Sequence, residues 1–483
     1  MAATDDWSAD SNEALLISLD TPTTKGPKPY KSFNPSFTFP LFGDAQQIFG
    51  YKNLAINLRF RANDMRPFVK VSYAKKFDAI GDTEPADIDS ILKEFLPAVA
   101  FSPEADYVEG AKRLSPEWKP PGELLTTISD GGETYEVWKG TMADPAVKQM
   151  VNRIQVLSVL FIDGGSLIVD DLDTSPNPAD SRWTIFFLFR KDKSADDPSR
   201  SDYTFVGYST VFRFFYLNKD AARASPPKEL EQLPKGDFDL SDLPCRSRIS
   251  QFVILPPFQR AGNGARLYTA VFDYYTHHAP TRAITVEDPN EEFDDLRDVC
   301  DLAYLRSLPA FNNLQIKKDY KLPSKGILKT DFLDLAAIRD LCATTKIAER
   351  QFMRCVEMHL MSKLPKSAWS LIMDKSALPN PRPTKEERNV YELWRVWVKM
   401  RLYVHNRDAL GQLDHEDRVQ KLNETVDSVE SGYARILAIL ERRPKEAAPV
   451  EPGKRKRDET EGGEPTASKK ARVEEEEDDG TTV

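Results

Sequence analysis

Two short segments of the chain carry residue types that can do chemistry together. The first is Gln259-Arg260-Ala261-Gly262-Asn263-Gly264-Ala265, set between a strand-like and a helix-like stretch. Glycines let the backbone approach an anion closely, and the free N–H groups that open a helix point at it, so a diphosphate fits such a cradle. An ordinary strand-to-helix turn has the same composition, and the residues alone leave both readings open. A P-loop is excluded because no GxxxxGK[ST] occurs. The dinucleotide fingerprint is excluded because Arg266-Leu267 follow where its third glycine belongs.

The second segment, Ile284-Thr285-Val286-Glu287-Asp288-Pro289-Asn290, places two carboxylates where Pro289 stops a strand. In an open α/β sheet, ligands lie beyond the carboxyl ends of the strands, which puts Glu287 on the same edge as the glycine loop. A lysine ammonium with a pKa near 10.4 must lose a proton before it attacks an acyl carbon, and a neighbouring carboxylate can accept it. The other reading of Glu287-Asp288 is an acidic pair that stabilises the dipole of a following helix.

The elements needed to position these segments are legible on both sides. Val147, Val151, Ile154, Leu157 and Phe161 recur at helical spacing from Asp144 and end at Gly164-Gly165. Strand runs follow at 183–189, 203–215 and 249–255, then the glycine loop, a helix through Leu267, Val271 and Tyr274, a short strand at 283–286 and a helix at 291–305. Strand, glycine-rich turn, helix, strand is a crossover unit, which implies two parallel neighbours in one sheet. Upstream, Leu54, Ile56, Leu58 and Phe60 alternate as one strand face, Val69, Val71 and Tyr73 as another, and a short helix is expected over 85–95. Downstream, Leu393, Trp397, Met400 and Val404 mark one helix face and Val426, Val429, Ile436 and Ile439 another.

The expected organisation is a loose N-terminus over 1–25, a mixed α/β domain over 26–140, a ligand-binding α/β domain over 141–305, a helical region over 306–440, and a disordered tail over 441–483. The tail holds no aromatic, Leu or Ile residue, so it cannot bury enough apolar surface to offset ordering. Its clusters Lys454-Arg455-Lys456-Arg457 and Lys469-Lys470-Ala471-Arg472, eleven residues apart, have the form of a bipartite nuclear import signal read by importins. A solvated charge-rich tail, closed by the acidic run Glu474–Asp479, is the plainer reading.

Across 483 residues the net charge is -10, which repels nucleic-acid backbone and favours a basic partner. No apolar run approaches the roughly 20 residues of a membrane span, and the acidic N-terminus has no signal-peptide pattern. Cys245, Cys300, Cys342 and Cys355 are far apart with no CxxC pair, which argues against a metal site or a disulfide framework and for a reducing compartment.

Several blocks taken together resemble the GNAT superfamily of N-acetyltransferases, whose loop reads Q/R-x-x-G-x-G/A, here Gln259, Gly262 and Gly264. Within it the chain is similar to the catalytic subunits of type B histone acetyltransferases. The blocks are SFNPSFTFPLFGDAQQIFGYKNL (32–54), DSRW (180–183), VGYSTVF (206–212), RISQFVILPPFQRAGNGARLY (248–268) and ITVEDPNEEFDDLRD (284–298). They occur in the family's order. The resemblance implies an α/β (α+β) GNAT fold with an N-terminal mixed α/β domain and a C-terminal helical region. It also implies a histone lysine N-acetyltransferase using acetyl-CoA as co-substrate, without a metal.

The resemblance further implies roles for individual residues. Phe252, Val253 and Ile254 run beside the pantetheine arm, with a backbone N–H polarising the thioester carbonyl. Gln259, Arg260, Ala261, Gly262, Asn263, Gly264 and Ala265 hold the diphosphate, and Asn290 touches the cofactor. Glu287 is the general base, with Asp288 and Asp163 as further acidic residues near the lysine; Asp163 stands where some members carry glutamate. Trp183 and Phe212 line the substrate groove, Phe212 where some relatives carry tyrosine, although core packing is the commoner fate of such rings. The implied substrate is the N-terminal tail of free, newly made histone H4, and the implied partner a WD-repeat histone-binding subunit. Nucleus and cytoplasm are the expected locations, with no direct nucleic-acid or membrane contact. An acetyltransferase of another protein or a small amine, or a histone chaperone without turnover, are the competing functions.

Overall fold

The structure, a computed structural model, describes residues 7–115, 117–168, 180–192, 202–215, 237, 239–321, 330–365, 367–368 and 383–442. Chain contacts divide it into two units: Met1–Glu287 with Thr345–Ala348, and Asp288–Thr344 with Glu349–Val483.

The first unit begins with a four-stranded sheet of β1 (Leu15–Thr23), β2 (Gly26–Phe33), β3 (Ala55–Arg61) and β4 (Pro67–Ser72), in the order β2-β1-β3-β4. Residues 15–23, expected to be loose, are therefore an inner strand. Leu15, Ile17 and Leu19 alternate into the core, and the polar residues between them hid that face. One of those polar residues is itself inside. Asp20 is buried against Arg59 (2.7 Å) and takes a hydrogen bond from the Tyr107 hydroxyl (3.1 Å), which satisfies a charge that would otherwise be costly to bury. Helices α1 (Ile88–Phe95) and α2 (Glu104–Lys112) follow; Asp87 caps α1 by accepting from the Ser90 N–H.

A six-stranded sheet follows, in the order β10-β9-β8-β7-β6-β5: β5 (Glu123–Asp130), β6 (Glu133–Thr141), β7 (Trp183–Lys191), β8 (Tyr203–Phe215), β9 (Cys245–Ile254) and β10 (Thr281–Val286). All neighbours are antiparallel except β9 and β10, the parallel pair that the crossover pattern required. Strand β9 starts four residues earlier than its apolar run. Cys245 and Ser247 are buried small polar residues, and Ser247 reaches the Thr281 hydroxyl at 2.8 Å.

The helix expected from Asp144 forms as α3 (Pro145–Ile154) and α4 (Val156–Phe161), broken at Gln155, with the Asp144 carboxylate capping α3 through the Ala146 N–H at 2.8 Å. The crossover helix α5 (Asn263–His277) lies on the other sheet face, where Tyr274 and Tyr275 meet Phe186. A bond from Phe205 N–H on β8 to Ala62 O just past β3 (2.6 Å) and one from Ser36 N–H to Leu160 O on α4 (3.1 Å) join the two halves of this unit. The short segment Thr345–Ala348 covers the outer edge of β10, with Ile284 N–H donating to Lys346 O at 2.7 Å. This mixed sheet with helices on both faces agrees with the GNAT expectation.

The second unit is helical: α6 (Glu291–Ser307), α7 (Leu335–Thr345, its last residue in the first unit), α8 (Glu349–Ser362), α9 (Lys385–His405) and α10 (His415–Arg442). Helices α6, α8, α9 and α10 pack on one another. On α9 the buried stripe is Leu393, Trp394, Val398 and Leu402, rotated from the expected one, and Val404 is 73% exposed. No helix among the described residues is long and apolar enough to cross a membrane. Both basic clusters of the tail and its acidic run lie outside the described residues.

Candidate active site

Strand β9 organises the site. Its parallel pairing with β10 runs from Cys245↔Thr281 to Ile249↔Val286 and stops there, while β9 continues to Ile254 with only β8 beside it. A bulge lies at the point of divergence. Thr210 opposes Gln251 and Val211 opposes Ile249, so Ser250 is an extra residue that bends the strand away. Among the described residues, no strand pairs with the edge of Val253 and Ile254 turned from β8. An extended ligand arm can lie along such an edge as an added strand does.

Two acidic residues are anchored on β9 at that point. Glu287 N–H donates to Ile249 O at 2.9 Å, which holds the end of β10 at the divergence. The turn carrying Asp163 is fastened from the other side: Gln251 Nε2 donates to Ser166 O at 2.7 Å and Ser158 Oγ to the same oxygen at 3.0 Å. A side chain at Gly165 would put a Cβ 2.5 Å from Ser158 O, so the turn closes this tightly only with glycine there. Asp163 itself is exposed.

Cross-strand register decides which side chains share the face of Glu287. Trp183, Phe212, Arg248 and Thr285 are successive partners across β7, β8, β9 and β10, and Glu287 follows Thr285 by two. Trp183 and Phe212 are half-buried with ring centroids 4.7 Å apart. They are open enough to line a groove. Arg182 stacks on Phe212 at 4.3 Å and Arg248 on Phe214 at 4.5 Å. The arginines make this wall less acidic than three carboxylates alone would imply.

At the far end of β9, Pro256–Phe258 form a tight turn and Gln259 Nε2 donates back to Ile254 O at 2.8 Å. The loop then takes left-handed backbone at Arg260 (φ 59°) and Gly262 (φ 78°) before α5 begins at Asn263. Gly262 caps α5 without any side-chain acceptor, so the first-turn amides of Asn263, Gly264 and Ala265 are left for a ligand, at the positive end of a fifteen-residue helix. The loop is braced from behind. Asn263 Nδ2 donates to Phe258 O (2.8 Å), and Arg266 Nη1 donates to Ala261 O (2.6 Å) and Asn263 Oδ1 (2.8 Å). Arg266 also bonds Asp130 and stacks on Tyr135 at 4.4 Å. These residues fit a diphosphate: glycine is needed at the left-handed cap, and the carbonyl of Ala261 is drawn away by a cation.

Asp288 and Asn290 belong to the second unit. Asp288 has φ 33°, a strained value for a residue with a side chain. Asn290 Oδ1 caps α6 through the Phe293 N–H at 2.9 Å, and Glu291, Glu292 and Asp294 occupy the first turn. Asn290 and these three acids stabilise the N-terminus of α6.

Sequence reading missed Arg248, Arg266 and the Ser250 bulge. A groove of about 570 Å³ between β5 and α5 contains none of the expected site residues. It lies on the sheet face opposite Glu287, with Asp273 raised by burial and His278 lowered by burial and Arg213.

The family model for the N-terminus of the HAT1 histone acetyl transferases matches residues 7–163. A histone acetyltransferase type B catalytic subunit of Gibberella zeae is 45% identical over 481 residues, covering 98% of this chain and 100% of that protein. One of Neurospora crassa is 43% identical over 509 residues, covering 98% and 99%. Among solved structures, an aminoglycoside acetyltransferase from a soil metagenomic sample aligns over 40% of this chain and 97% of its own. Its 12% identity and TM-score of 0.19 carry no argument. Identity of 43–45% over almost the full length of both chains decides the matter: this chain belongs to the family of histone acetyltransferase type B catalytic subunits.

Proposed function

We propose that this chain moves the acetyl group of acetyl-CoA to the ε-amine of a lysine in the N-terminal tail of free histone H4, by direct attack with Glu287 as general base. The observation that carries the reading is the divergence of β9 from β10, with Glu287 held at its apex by Ile249 O and the glycine loop at the open end. The co-substrate supplies the thioester. Asn263, Gly264 and Ala265 bind its diphosphate, and the end of β9 beyond its pairing with β10 aligns its arm. Glu287 takes the proton that the attacking amine loses as a C–N bond replaces the C–S bond. Asp163 and the half-buried Trp183 and Phe212 position the peptide. A WD-repeat histone-binding subunit and nuclear import through the tail complete the proposal.

The test is transfer of labelled acetyl to free H4 and its tail peptide by wild type and Glu287→Gln. Wild type should modify a tail lysine, and the variant should lose on the order of 10² to 10⁴ in rate while still binding acetyl-CoA. Full turnover by Glu287→Gln reassigns the base to Asp288 or Asp163. A wild type that binds acetyl-CoA without acetylating H4 overturns the substrate.

A further inference from the structure

We propose that Arg248 is a positioning residue that holds the Glu287 carboxylate in line with the incoming amine. The inference rests on Glu287 being the base. Arg248 pairs with Thr285 across the parallel strands, Glu287 follows Thr285 by two just past the end of β10, and Nη1 lies 3.7 Å from Oε1. The guanidinium is itself immobilised: its side chain is only 15% exposed and lies over the Phe214 ring at 4.5 Å. A cation on an aromatic face loses little further freedom when it orients a neighbour.

The spacing matters. At 3.7 Å the pair attracts without a close hydrogen bond, and among the described residues no side chain donates one to Glu287. The carboxylate is aimed, yet its lone pairs stay open to the proton it must take. Glu287 is 45% exposed and follows the last paired residue of β10, so its own backbone does not fix its rotamer. A positioned base loses much of its advantage when displaced by about 1 Å. Arg248 does not touch the substrate in this reading; it acts through Glu287.

The experiment uses the full-length enzyme with acetyl-CoA and H4 tail peptide, and compares wild type, Arg248→Ala, Arg248→Lys and Glu287→Gln. Arg248→Ala should lower kcat roughly 10- to 100-fold with the KM for acetyl-CoA unchanged. Guanidinium ion added at millimolar concentration should recover part of the loss. It should recover none in Glu287→Gln, and Arg248→Lys should fall between. Wild-type kcat in Arg248→Ala overturns the proposal. So does a loss that neither guanidinium nor lysine relieves, because that is the behaviour of a merely structural residue. A fully active Glu287→Gln instead overturns the base assignment beneath it.

Discussion

Glu287 and Glu357 each face an arginine, one in each unit, and the two pairs are built differently. Glu357 on α8 is wholly buried. It accepts from Arg401 Nε (2.8 Å) and Nη2 (3.1 Å) and from the Tyr433 hydroxyl (2.7 Å), while its backbone oxygen takes the Trp394 indole N–H (2.9 Å). Glu287 is nearly half exposed and sits 3.7 Å from Arg248. A buried charge survives only when its lone pairs are satisfied. A carboxylate that must receive a proton keeps one free. The helical unit uses Glu–Arg chemistry to join α8, α9 and α10; in the first unit the 3.7 Å pair leaves Glu287 unsaturated, as the proposed base requires.

The sharpest way to break that comparison is to neutralise each glutamate in turn. Glu357→Gln removes the buried charge that Arg401 and the Tyr433 hydroxyl share and should cost about 3–5 kcal/mol in denaturant unfolding. Turnover per folded molecule should be unchanged. Glu287→Gln should do the reverse: stability within about 0.5 kcal/mol of wild type, with the large loss confined to rate. Equal destabilisation by both substitutions would mean that Glu287 is structural.

A smaller effect separates the units by pH. His359, on the same helix as Glu357, is buried against Phe311 at 4.9 Å, and burial, aided by Arg306 and Lys363, pushes its pKa down to about 4 from 6.5. The folded state holds it neutral while the unfolded chain protonates below 6.5. Its contribution is therefore present above that value and is lost as pH falls toward 4. At 1.36 kcal/mol per pKa unit this amounts to about 3 kcal/mol. Asp294, raised to about 6 by burial, acts with the opposite sign over part of the same range. The His359 share is therefore the difference between wild type and His359→Gln in melting temperature from pH 7 to pH 4. The variant should lose less on acidification. Parallel curves would show that His359 is not what makes the unit acid-sensitive.

What was legible in the residues divides along a physical line. Gln259–Ala265, Glu287 and the βαβ order depend on local chemistry: glycine where φ is positive, proline where a strand stops, apolar spacing along a helix. Arg248, Arg266 and Ser250 matter only because of what lies across a strand or behind a loop. A register shift of one residue would turn Arg248 to the other face. Residues 15–23 failed for a related reason. Asp20 is polar in sequence and buried in the fold, and Arg59 and Tyr107, 39 and 87 positions away, make that tolerable. On α9 the stripe was misplaced because Trp394, next to Leu393, is also buried, its indole N–H satisfied by Glu357 O.

The least of these effects concerns the brace behind the glycine loop. A carbonyl oxygen pointing into an anion site repels the anion, and Arg266 holds that of Ala261 at 2.6 Å while keeping Asn263 in place. Arg266 is in turn fixed by Asp130 and by the Tyr135 ring. Arg266→Ala should weaken acetyl-CoA binding about tenfold, the worth of one charge-assisted hydrogen bond. At saturating acetyl-CoA, kcat should stay near wild type, because Glu287 and the β9 edge are untouched. Asp130→Asn should reproduce a fraction of the loss by loosening the brace. Titration calorimetry with acetyl-CoA reads both. If Arg266→Ala lowers kcat at saturation as well, the loop does more than hold the co-substrate: it sets the depth at which the arm lies along β9, and with it the distance between thioester and amine.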